Sequence, residues 1–109
     1  MNVKTQPLIG CQTNGAGLVN HLQPKAGPGT LISLLGFNSG PAQFIQLHDS
    51  AGVPAENSVP LFAFAVPSGQ HFNLDTPVKF SAAIFVCNSS TLAVKTIGAA
   101  DCFIITRNI

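Results

Sequence analysis

Few residues in this chain carry the chemistry of a site. Three histidines stand at His21, His48 and His71, three cysteines at Cys11, Cys87 and Cys102, and four acids at Asp49, Glu56, Asp75 and Asp101. A structural zinc site takes four nitrogen or sulfur ligands, commonly as closely spaced pairs. Here there is no Cys-x-x-Cys pair, and each histidine belongs to a different segment. His48-Asp49 has the residue types of a catalytic dyad, but neighbours on a strand point to opposite faces. No Ser or Cys sits in a Gly-x-Ser-x-Gly elbow, and the scattered acids offer no pair for general acid–base hydrolysis. Gly15-Ala-Gly17 and Gly27-Pro-Gly29 lack the Lys-Ser/Thr and the following helix of a phosphate loop, and read as turns. Asn88-Ser-Ser90 fits a glycosylation acceptor, a pattern short enough to recur by chance. The expectation is a non-enzyme with no catalytic, cofactor-binding or metal-ligating residues.

The elements around these residues read as strands. The apolar runs are short, rich in Val, Ile, Phe and Thr, and bounded by Gly, Pro, Asn and Ser. Eight prolines are spread along the chain; helix interiors reject them, whereas strand ends and edges accept them. The expected strands are Leu8–Gln12, Leu18–Leu22, Thr30–Asn38, Gln43–Asp49, Pro60–Val66, His71–Asp75, Lys79–Asn88, Leu92–Thr96 and Asp101–Arg107. Seven to nine such strands at near-regular spacing imply an all-β fold, an antiparallel β-sandwich or jelly-roll-like domain. Period-2 alternation assigns Phe62, Phe64, Val66, Phe72, Leu74, Phe80, Ile84, Val86 and Ile104 to the core. Residues 1–28, polar and Gly/Pro-rich, are expected to form an N-terminal arm or edge segment, and residues 29–109 the sandwich. Cys87 and Cys102 each lie in an apolar run, where free cysteine behaves as a small hydrophobe; facing each other across neighbouring strands is the alternative.

Composition sets limits on partners. Charged residues make up 8% of the 109 residues and the formal net charge is +1, against about 25% charged in an average protein. Such a surface does little to keep copies apart. Strands apolar on both faces, Lys79–Asn88 and Pro60–Val66 above all, imply that an outer face is covered as well. Candidate interface residues are Leu8, Ile9, Val53, Phe85 and Phe103, and the arm is expected to fix onto a neighbouring copy. The five cations (Lys4, Lys25, Lys79, Lys95, Arg107) form no basic run, which argues against nucleic acid. No apolar run approaches the length needed to span a bilayer, and the first residues lack the apolar core of a secretory signal. Synthesis in the cytoplasm is the expectation.

Three stretches carry a resemblance: Gln43-Phe-Ile-Gln-Leu-His-Asp-Ser50; Phe64-Ala-Val-Pro67 with His71-Phe-Asn-Leu-Asp75; and Cys87-Asn-Ser-Ser-Thr91 through Lys95-Thr-Ile-Gly-Ala-Ala-Asp-Cys102. Over about Thr30 to Arg107 the pattern resembles small β-sandwich virion structural proteins of tailed bacteriophages. The resemblance implies a capsid decoration (cement) subunit located in the virion. It further implies a homo-oligomer, a trimer first of all, that binds the major capsid protein or another virion protein. Head fibres and tail accessories belong to the same group. A carbohydrate- or receptor-binding sandwich is the competing class; sugar platforms usually rest on Trp and Tyr, and this chain has neither.

Overall fold

The computed structural model describes residues 12–19, 21–98 and 101–109. Among them are nine strands and no helix: β1 (Gln12–Val19), β2 (His21–Lys25), β3 (Gly29–Asn38), β4 (Gln43–Asp49), β5 (Phe62–Val66), β6 (His71–Leu74), β7 (Val78–Phe80), β8 (Ile84–Ser89) and β9 (Cys102–Asn108). They form two antiparallel sheets. Sheet A has the order β1-β9-β3-β6, with β7 also on β3; sheet B has the order β2-β8-β4-β5. The two pack as a β-sandwich, the expected fold. The core between them takes Leu31, Leu34, Phe72, Phe80, Cys102 and Ile104 from sheet A and Ile45, Leu47, Val66, Ile84 and Val86 from sheet B.

The segment read as an arm or edge supplies two edge strands as far as it is described. β1 pairs with β9 and β2 with β8, one in each sheet. Leu8 and Ile9 lie outside the described residues. β1 is Gly- and Asn-containing (QTNGAGLV), a composition depleted in strands. Its pairing, from Gln12 opposite Asn108 to Ala16 opposite Ile104, overrides that propensity.

The run Lys79–Asn88 is not one strand. It divides at Ser81-Ala82-Ala83 into β7 of sheet A and β8 of sheet B. The Asp49 carboxylate makes the corner: Oδ2 accepts from the Ser81 N–H at 3.0 Å and the Ser81 hydroxyl at 2.8 Å, and Oδ1 from the Ala82 N–H at 2.8 Å. Donors gathered on the ionised carboxylate hold its pKa down, to about 2, with the Ser81 backbone N–H the largest contributor. Leu92–Thr96 is a loop, held to the end of β8 by bonds from the Thr96 N–H to Ser89 Oγ and from the Ser89 hydroxyl to the Val94 carbonyl, with a bridge between Ser89 and Ile97 beside them.

Of the expected core, Val66, Phe72, Phe80, Ile84, Val86 and Ile104 are buried, and Phe64 and Leu74 are partly buried against it. Phe62 is a correction: it is 44% exposed. It begins an edge strand, which among the described residues has a partner on one side only, and its ring leans on Phe64, with centroids 6.3 Å apart. Cys87 and Cys102 are free thiols on strands of different sheets, so they do not face each other across neighbouring strands.

Asn38, wholly buried, knots the corner where β3, β4, β5 and β6 meet. Its Nδ2 donates to the carbonyls of Pro41 (2.9 Å), Val66 (3.3 Å) and Pro67 (3.3 Å), and its Oδ1 accepts from the Gly40 N–H and from Gln43 Nε2. A buried amide is retained at low cost only when its donors and acceptor are used in this way.

Candidate functional site

Each sheet has an outer face, and the two are built differently. On sheet B, alternation sends Gln46 and His48 of β4, and Phe85, Cys87 and Ser89 of β8, away from the core; the register sets Gln46 opposite Cys87 and His48 opposite Phe85. All five are buried. Two loops, residues 50–61 and 90–97, roof them. Gln46 Nε2 donates to the carbonyls of Thr91, Leu92 and Val94, each at 3.0 Å. Its Oε1 lies 2.9 Å from His48 Nε2. The roof is stapled to itself by backbone bonds from Asn57 N to Lys95 O and Lys95 N to Ser58 O. Buried Lys95 donates from Nζ to Pro54 O at 2.8 Å, with the Glu56 carboxylate 3.5 Å away. That carboxylate also accepts from the Ile97 N–H.

This layer contains a histidine, a cysteine and a lysine, the residue types of nucleophilic chemistry. Their environment works against it. Desolvation pushes the fully buried Cys87 thiol up to about 11, the reverse of the shift that makes a reactive thiolate. Burial first, and the charge of Lys95 second, lower the pKa of His48, which keeps the ring neutral at pH 7 as a hydrogen-bonding part of the roof. Asp49, next in sequence, points to the corner at Ser81, so His48 and Asp49 form no dyad. Among the described residues no group of three or more His, Cys, Asp or Glu is placed to hold a metal ion.

The outer face of sheet A has no roof among the described residues. The register sets Phe37 opposite Phe103 and Leu35 opposite Ile105, an apolar block two strands wide at the middle of the sheet. Leu35 is 49% and Phe103 44% exposed, with Phe37 and Ile105 half-buried. His71 and Asn73 of β6 flank the block opposite Phe37 and Leu35, and the His71 ring meets Phe37 edge-on at 5.0 Å. An open depression of about 420 Å³ lies beside it, lined by Leu35, Gly36, His71, Phe72 and Asn73. The two ends of β9 carry opposite charge: Asp101 beside Ser39 at one end, Arg107 opposite Ser33 at the other.

Gly36 explains how tightly this face is backed. A Cβ there would run into the Phe103 carbonyl and sit 2.6 Å from Phe72 Cζ, so only glycine lets β3 lie this close to its neighbours.

Among the candidate interface residues, Phe103 lies on the bare block and Val53 is 57% exposed on the roof of sheet B. Phe85 is a correction: at 3% exposed it is buried within the chain itself, and the His21 ring, on the edge strand, lies 6.2 Å from it. Leu35, Phe37 and Ile105 went unassigned in the sequence, although the alternation of TLISLLGFN and DCFIITR places apolar groups on both faces of β3 and β9. Comparison of the chain with protein-family models, with curated proteins and with solved structures returned no significant match.

Proposed function

We propose that this chain is a non-enzymatic structural subunit, a capsid decoration or cement-like protein of a tailed-phage virion, working as a homo-oligomer against the major capsid protein or another virion protein. The observation that carries the assembly part is the apolar block Leu35, Phe37, Phe103 and Ile105, left without a roof among the described residues of a chain with 8% charged residues. Contiguous exposed apolar surface at the centre of a sheet marks a face that meets another molecule. The virion part rests on the resemblance of residues 30–107. A trimer, the copy number that the resemblance implies, needs a head-to-tail contact around a ring. The edge strand β5 fits that need: FAFAV carries no charge, and among the described residues only β4 pairs with it. Unpaired, uncharged edges are templates for strand addition.

Mass photometry of the purified chain, alone and mixed with purified tailed-phage heads, tests the reading. Discrete oligomers and shells that gain mass on mixing are expected. A monomer at high concentration that leaves the shells unchanged overturns it.

A further inference from the structure

We propose that loop 90–97, the part of the roof that carries Lys95, is an acid-released lid: protonation of His48 frees it from the outer face of sheet B while the sandwich stays folded. The way the roof is attached allows a separate opening. Its large apolar side chains Val53, Val59, Leu61, Leu92 and Ile97 are exposed, so they give it little apolar hold on the sheet. Loop 90–97 is held by hydrogen bonds instead. Gln46 Nε2 donates to the carbonyls of Thr91, Leu92 and Val94, and Ser89 Oγ accepts from the N–H groups of Thr91 and Thr96. Lifting the loop exchanges these bonds for bonds to water and leaves the core between the sheets in place.

The tautomer of His48 follows from the same network. Gln46 uses its amide N–H groups on the loop, so its Oε1 is the acceptor and His48 Nε2, 2.9 Å away, carries the hydrogen. A second proton goes to Nδ1, which has no hydrogen-bond partner among the described residues. That proton puts a cation into a layer that already holds the buried Lys95 ammonium. The groups facing it do not offset the charge. Glu56, from loop 50–61, is half exposed and already shared between Lys95 Nζ at 3.5 Å and the Ile97 N–H. Phe85 and Cys87 come from β8, His21 comes from β2, and β5 brings no titratable side chain. Lys25 of β2 lies against Gly29, and Asp49 is turned to the corner at Ser81. The closed layer therefore resists the proton, in line with the lowered pKa of His48, which burial causes first and Lys95 second. In the open form the ring meets water and takes the proton at its ordinary value, so acid shifts the balance towards the open lid.

Two buried thiols read the lid and the sandwich separately: Cys87 lies in the layer beneath the roof, Cys102 in the core. The purified full chain is pulsed with a dipyridyl disulfide reagent between about pH 7.5 and about pH 4.5. Each labelling rate is divided by that of the urea-unfolded chain at the same pH, with the two peptides resolved by mass spectrometry. Cys87 should label at least about tenfold faster than Cys102, because it needs only the local opening, and its relative rate should rise as the pH falls. His48→Gln, which can still donate to Gln46 and takes up no proton, should abolish that rise. Glu56→Gln deprives Lys95 of its counter-charge, so the rise should move to higher pH. If His48→Gln does not fold, the shift in Glu56→Gln, a substitution at a half-exposed side chain, decides alone. Equal rates at the two cysteines would mean that both wait for global unfolding, and overturn the lid. A Cys87 rate that does not rise with acid overturns it too, as do variants that follow the native pH dependence.

Discussion

Phe85 and Phe103 occupy equivalent places, each on a central strand of its sheet and each pointing away from the core, yet one is 3% and the other 44% exposed. Sheet B covers its outer face with two loops of the same chain, held down by Gln46 from below and by Lys95 and Glu56 across the top. Sheet A, among the described residues, leaves the corresponding surface open. The same apolar alternation therefore has two outcomes, and what separates them is whether a nearby loop brings enough hydrogen-bonding groups to anchor a roof. Around sheet B those groups are the carbonyls of Thr91, Leu92, Val94 and Pro54; around sheet A the flanking residues are Ser33, Ser39, His71 and Asn73 on the strands and their ends.

The largest test of this contrast is Phe85→Ala, which should cost about 3 kcal/mol of unfolding free energy, the usual loss for emptying a buried Phe site that cannot fully collapse. Urea unfolding of the purified chain measures it; a loss below about 1 kcal/mol would mean that the roof does not hold Phe85. Next is Gln46→Ala, which removes the amide donor shared by the Thr91, Leu92 and Val94 carbonyls, of which Val94 keeps the Ser89 and Thr91 hydroxyls, and should cost about 2 kcal/mol. Its signature is local: amide exchange in residues 90–98 should speed up more than exchange in β9.

His48 sharpens the contrast through pH. Its pKa is lowered in the folded chain, so above the ordinary value of 6.5 both folded and unfolded states are neutral there and the roof has its full stability. As pH falls below 6.5 the unfolded chain takes up the proton while the folded chain resists, and stability drops until the lowered folded pKa is reached. Thermal melts at stepped pH should show this decline in the native chain and a weaker one in His48→Gln. Equal slopes would remove the buried imidazole from the account of the roof.

Much of this was legible in the sequence, and the gaps have physical causes. Short Val/Ile/Phe runs bounded by Gly and Pro gave the strands, and alternation placed Ile84, Val86 and Ile104 in the core. The corner at Ser81 was not legible, because Asp49 makes it from a point more than 30 positions earlier. Nor was β1, whose glycines and asparagine are held extended by pairing with β9 at the far end of the chain. The reading of Phe85 as an interface residue failed for a related reason. Periodicity reports that both faces of a strand are apolar; it carries no information on whether a loop or another molecule lies over the second one. Gln46, the residue that decides this for sheet B, reads in sequence as an ordinary polar position.

The smallest expected effect is the most informative. Phe103→Ala, measured by urea unfolding at a concentration low enough to dissociate any assembly, should change stability by less than about 0.5 kcal/mol, as surface substitutions away from special features do. Dilution matters because partner binding to the folded state alone would add to the apparent stability and make the midpoint depend on concentration. At high concentration the same substitution should lower the unfolding midpoint relative to the native chain. A change at one concentration and none at the other separates a residue that stabilises the fold from one that stabilises a contact. Should Phe103→Ala instead cost as much as Phe85→Ala under dilute conditions, something within the chain covers sheet A as the loops cover sheet B, and the two faces are alike after all.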